Sequence, residues 1–148
     1  MILKTKYKDL DHTLKALRQQ IIDSLNYCHS KNFYFRSPRE MYYFFLPQIQ
    51  YKNDPAGIEL LQTAQTLFEN NYHNIPGAGD CDCFTCLVCA VAALNNWKQR
   101  IVLCGNTKKG AVHIFSQIYF DGNWQTCDLT ARLFNTHKKY KYYQFLDI

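Results

Sequence analysis

Residues 79–95 read GDCDCFTCLVCAVAALN, and beyond Asp82 the run is apolar on nearly every side. Phe84, Leu87, Val88, Val91, Ala92 and Leu94 leave no polar stripe, so a helix over about 81–95 belongs in the centre of a domain. Asp80 stands where an N-cap is wanted, which sets Cys81 at or beside the first helical position. There a thiol meets unpaired amides and the positive end of the helix dipole, and both favour the thiolate. Asp80 and Asp82 oppose that effect. A neighbouring imidazolium, carrying a full charge in a partly desolvated cleft, is expected to outweigh them.

Away from this helix the pattern differs on the two sides. Towards the N-terminus it is helical. Leu10, Leu14, Leu17, Ile21, Leu25 and Cys28 recur at steps of three and four, which predicts a helix over about 11–31. Ser37, Pro38 and Glu40 form a capping signal for a second helix that buries the aromatic run 41–46 and stops at Pro47. Asp54-Pro55 repeats the signal and predicts a third helix over about 55–70, burying Ile58, Leu61, Ala64, Leu67 and Phe68.

Towards the C-terminus the period becomes two. Residues 100–104 (RIVLC), 111–120 (AVHIFSQIYF), 123–128 (NWQTCD) and 140–145 read as strands, with Asp121-Gly122 as a hairpin turn. Helices first and an antiparallel sheet after them predict an α+β fold, the Cys81 helix packed centrally on the sheet, and one domain spanning 1–148.

The partner for Cys81 comes from the hairpin. Of the five histidines, His12 and His29 fall on the first helix, His73 in the loop before Cys81 and His137 in the basic tail. Only His113 lies within a central strand, sharing a face with Phe115, Gln117 and Tyr119. With a two-residue turn Phe120 faces Asn123, Phe115 faces Asp128, and His113 faces Thr130. Asp128 then shares the face of His113, one diagonal step or about 7 Å away, a gap two side chains close. A carboxylate there fixes the ring's tautomer and steadies its charged form. A three-residue turn would send Asp128 to the other face.

Gly79-Asp80-Cys81-Asp82, an apolar helix, His113 in a strand and then Trp124-Gln125-Thr126-Cys127-Asp128-Leu129-Thr130 together resemble the transglutaminase-like superfamily over about residues 76–130. The resemblance implies a papain-like triad of Cys81 as nucleophile, His113 as base and Asp128 as orienting acid. Two positions depart from the family pattern: Cys83 where an acid is common and Leu129 where proline is common. Small members of the superfamily resemble phage proteins, which makes a phage or prophage origin an expectation.

The implied chemistry is acyl transfer through a thioester on Cys81, with hydrolysis of a peptide or amide bond favoured over transfer to an amine. The backbone N–H of Cys81 and one upstream donor, from Tyr72, His73 or Asn74, would meet the oxyanion. His73 is also an alternative base. The rival reading is a catalytically inactive module of the same fold used for binding or assembly.

Seven cysteines, four of them within nine residues, suit a reducing, cytoplasmic setting better than a disulfide scaffold. Cys81, Cys83, Cys86 and Cys89 match no standard zinc or cluster spacing, so no metal and no cofactor is expected. Cys86, Cys89, Cys104 and Cys127 read as small core residues, and Cys83 as a thiol that could resolve an oxidised Cys81. No signal peptide or membrane span is expected. The net charge of +5 gathers in Lys4, Lys6, Lys8 and Lys138, Lys139, Lys141, read as solvated edges. The expected partner is a protein or peptide substrate; nucleic acid is not expected.

Overall fold

The computed structural model describes residues 2–5, 10–107 and 111–148, with backbone alone for 2–5, 10 and 11. Lys6 and Lys8 lie outside the described residues, as do the side chains of Lys4 and Leu10. The elements run β1 (Ile2–Thr5), α1 (Leu10–Ser30), α2 (Pro38–Phe45), β2 (Gln50–Tyr51), β3 (Glu59–Gln62), α3 (Ala64–Phe68) and β4 (Ala78–Gly79). They continue with α4 (Cys81–Leu94), β5 (Lys98–Gly105), β6 (His113–Phe120), β7 (Asn123–Cys127) and β8 (Tyr142–Asp147). Among the described residues no helix is long and apolar enough to cross a membrane.

The fold is α+β, with α4 at its centre. Every residue from Cys83 to Ala92 is buried, as a helix with no polar face requires. One side of α4 meets α1 through the stripe of Leu14, Leu17, Ile21 and Cys28. The other meets the inner face of a four-stranded antiparallel sheet ordered β7-β6-β5-β8. Ile101, Leu103, Ile114 and Ile118 fill that contact. Thr85 Oγ1 donates to the Ile114 carbonyl at 3.3 Å, and Cys89 lies 3.3 Å from Ser116 Oγ, which fixes the helix along β6.

At α2 the capping signal folds as read. Ser37 Oγ accepts from the Glu40 N–H at 3.2 Å, and Met41, Tyr42 and Phe45 are buried while Tyr43 and Phe44 remain exposed. Pro47 lies in a short 3-10 turn, Leu46–Gln48, that ends the helix.

The helix expected over 55–70 does not form. Gly57 adopts φ +74°, the chain turns, and β3 pairs antiparallel with β1 from Ile2↔Gln62 to Thr5↔Glu59. Asp54 does not cap a helix; its Oδ2 accepts from the Leu60 N–H at 2.8 Å. Helical order starts only at Thr63, whose hydroxyl caps the short α3 by accepting from Thr66 N–H at 3.2 Å. Ile58 is exposed, whereas Leu60, which a helix would have turned outward, is buried beside Leu61. Burial of the consecutive residues Leu60, Leu61 and Gln62 fits a strand covered on both faces.

The hairpin closes in the expected register. Phe120 faces Asn123 and the ladder runs to Ser116↔Cys127. Asp121 and Gly122 both have positive φ, 56° and 84°, as a two-residue type I′ turn requires.

Candidate active site

The register places His113 and Asp128 together. Nε2–H of His113 donates to Asp128 Oδ2 at 2.6 Å. The second carboxylate oxygen accepts from Thr130 twice, from its N–H at 3.0 Å and its hydroxyl at 2.6 Å. Tyr42 Oη donates to the Asp128 carbonyl at 3.1 Å, so α2 pins the same residue from behind. Asp128 is 3% exposed with both oxygens engaged, which holds the carboxylate in one orientation. The bond at Nε2 leaves Nδ1 of His113 as the nitrogen able to take a proton. Tyr140 stacks on the ring at 5.9 Å between centroids and 24° between planes.

Cys81 is the first residue of α4, as read from the sequence, and it is only partly buried. It shares with His113 a cavity of about 220 Å³ whose walls include Tyr51, Glu59, Asp80, Asp82 and Ile114. The two sides reach this cavity from different directions. Ile114 points inward to α4, and His113 starts the strand on the opposite face. The Ile114 N–H, next to His113 in the chain, is the contact at Cys81 that favours a thiolate.

The resting electrostatics correct the expectation of a stabilised thiolate. Burial pushes the Cys81 thiol up first, and the carboxyls of Asp82 and Asp80 push it further. The thiol donates to Asp82 Oδ1 at 3.3 Å; among the described residues it makes no hydrogen bond to His113. Asp80 occupies the N-cap position without making a side-chain cap bond. Its carboxyl is pushed up to about 8, by burial first, then by Asp82 and Asp54, to which it donates a hydrogen bond. Asp82 lies well above the usual carboxylate range because it is buried and donates to Glu59. Two carboxyl–carboxyl pairs thus flank the sulfur, and the half charge of a helix terminus does not overcome them.

Sequence reasoning missed Tyr51 and Glu59. The parallel pairing of β2 with β4, Tyr51↔Gly79, carries Tyr51 beside the start of α4. A side chain at Gly77, which has φ +83°, would collide with the Gln48 carbonyl, so glycine permits this approach. Burial and the carboxyls around Cys81 raise the Tyr51 phenol to about 12, so it stays protonated and able to donate. Tyr72, His73 and Asn74 do not line the cavity. The Tyr72 and His73 N–H groups are used by Gln62 Oε1 and Asn71 Oδ1, at 3.1 and 2.8 Å. The remaining cysteines point elsewhere. Cys83 packs against Leu60 and Gln62, Cys86 lies 3.8 Å from Ser24, and Cys104 and Cys127 are buried in strands.

No family model matches the chain, and no curated protein matches it in sequence. A search of solved structures finds a Cytophaga hutchinsonii protein provisionally described as a cysteine protease, 15% identical with a TM-score of 0.45, covering 80% of this chain and 37% of its own. It also finds a structure described as a TGase, 14% identical with a TM-score of 0.39, covering 90% of this chain and 36% of its own. The chain therefore spans little more than a third of either structure. At these identities and TM-scores neither likeness bears on activity, and the functional reading rests on the site's geometry.

Proposed function

We propose that the chain is a cysteine-dependent acyl-transfer enzyme of transglutaminase-like type that cleaves a peptide or amide bond through a thioester on Cys81. The observation that carries this reading is the His113–Asp128 bond at 2.6 Å, which leaves Nδ1 to serve a cavity shared with a thiol at a helix start.

The resting thiol is protonated, so the reaction begins with rotation of the Cys81 side chain from Asp82 to His113. Nδ1 takes the thiol proton as sulfur attacks the carbonyl carbon. Asp128 stabilises the imidazolium that results. The oxyanion is met by the backbone N–H of Cys81 and by the phenol of Tyr51, which replaces the donors expected at 72–74. Collapse expels the amine with the proton from His113. Water, deprotonated by the same ring, then attacks the thioester and releases the acid.

The test is acylation by p-nitrophenyl acetate, followed by intact mass and peptide mapping. Cys81 should carry the acetyl group ahead of the six other cysteines and lose it by hydrolysis. Labelling of Cys81 no faster than of its neighbours overturns the reading in favour of a binding module.

A further inference from the structure

We propose that the outer face of the sheet, turned away from α4, binds single-stranded nucleic acid. Strand alternation puts Lys98 and Arg100 of β5, Tyr119 of β6 and Trp124 of β7 on this face, next to one another in register. Phe145 and Tyr143 of β8 extend it at the edge strand. The Arg100 guanidinium lies over the Trp124 ring at 4.0 Å and over Phe145 at 4.4 Å. Lys98 sits over Tyr119 at 5.6 Å and Trp124 at 5.7 Å.

Large rings normally seek cover, yet Phe145 is 51% exposed, Tyr119 42% and Tyr143 37%. The Tyr143 and Phe145 planes are 16° from parallel. Beside them the segment 137–140 crosses the sheet and stacks His137 on Phe115 at 4.8 Å and 20°. The groove left between that segment and β8 is about 460 Å³, with Lys139 on its wall. Lys138 covers the Tyr140 ring at 5.8 Å. Cations and flat rings thus alternate along one surface, where the sequence showed only two lysine-rich ends.

Charge selects a polyanion. Of the carboxylates on the strands of this face, Asp128 is buried and committed to His113 and Thr130, which leaves Asp147, opposite Arg100. The face of a sheet offers side chains and no free backbone groups, whereas extended peptides are held largely by main-chain hydrogen bonds. Stacked bases require only ring faces, and phosphates require only the cations between them. A duplex hides its base faces and would lose the stacking.

The experiment is fluorescence anisotropy with fluorescein-labelled oligo-dT of about 12 nucleotides at about 50 mM salt. Binding should quench Trp124 emission in a Trp97→Phe background. Phe145→Ala and Trp124→Ala should each weaken binding about 5- to 100-fold. Phe145 is exposed on an edge strand, so that variant remains informative if Trp124→Ala disturbs the hairpin. Removing Lys98 and Lys139 should shallow the slope of log affinity against log salt by about 0.7 each. Cys81→Ala should bind as wild type does, which separates this proposal from the acyl-transfer reading. The proposal is overturned by absence of binding, by binding indifferent to Phe145→Ala, or by duplex DNA or an oligoglutamate of equal length binding as tightly.

Discussion

Asp128→Asn tests the core of the site with almost no change of shape. The amide oxygen can still accept from the Thr130 N–H and hydroxyl, and the backbone carbonyl still accepts from Tyr42. The amide NH₂ then faces Nε2 across a 2.6 Å gap that holds a donor–acceptor bond in wild type. Two donors cannot share it, so the ring moves its proton to Nδ1, where it blocks acceptance from the thiol. A neutral bond remains, so the variant loses the difference between a charge-assisted bond, about 1.5–3 kcal/mol, and a neutral one, about 0.5–1.5 kcal/mol. That difference, about 1–1.5 kcal/mol, slows acylation of Cys81 by about 5- to 13-fold, with the tautomer cost in addition. The same difference lowers the melting temperature by about 2–6 °C. Acylation followed by mass spectrometry gives the rate, and nitrogen-15 NMR of the imidazole gives the tautomer. A variant that keeps the proton on Nε2 and acylates within about two-fold of wild type would refute the reasoning.

Cys81→Ala should leave the melting temperature nearly unchanged, whereas Phe84→Ala, a buried ring on the same helix, should cost about 3–5 kcal/mol in urea unfolding; equal losses would make Cys81 structural. Tyr51→Phe should slow acylation by p-nitrophenyl acetate, which passes through an oxyanion, and leave iodoacetamide alkylation, which does not, unchanged; a parallel drop in both removes Tyr51 from the mechanism. Because burial and two carboxyls raise the resting thiol, iodoacetamide alkylation of Cys81 should keep rising above pH 9; a plateau below neutrality would show a resting thiolate. Asp80 is raised to about 8 in the folded chain, so its contribution to stability is full below about pH 4 and lost as pH rises through 8. Asp80→Asn should therefore flatten unfolding free energy across that window and stabilise the protein at its upper end; an unchanged pH profile would mean Asp80 titrates normally.

What the sequence made legible was local. The α1 stripe, the Ser37 cap, the apolar α4 and the Asp121-Gly122 turn each rest on residues close in the chain, and the register of one hairpin was enough to bring His113 to Asp128. What it hid was long-range. Ile58, Leu61, Ala64, Leu67 and Phe68 fit a helical period, but β3 is set by pairing with β1, more than fifty residues earlier. Tyr51 and Glu59 reach Cys81 through β2–β4 and β1–β3, pairings with no local signature. The opposing effect of Asp80 and Asp82 on the thiol was visible; its strength was not, because it depends on burial and on Asp54 and Glu59 lying next to them.

The burial of α4 on all sides has a mechanical consequence. A helix gripped by α1 on one flank and by the sheet on the other can neither roll nor slide without opening a packed interior. His113 is likewise anchored by Asp128, and Asp128 by Thr130 and Tyr42. Cys81, by contrast, holds Asp82 through a single side-chain hydrogen bond of 3.3 Å, and the proposed mechanism asks only that its side chain turn from Asp82 to His113. Rotations of that kind in partly exposed side chains take picoseconds to nanoseconds. On the proposed mechanism the site is a latch with one pin, in which a turn of the Cys81 side chain, and no movement of α4, brings sulfur to the ring.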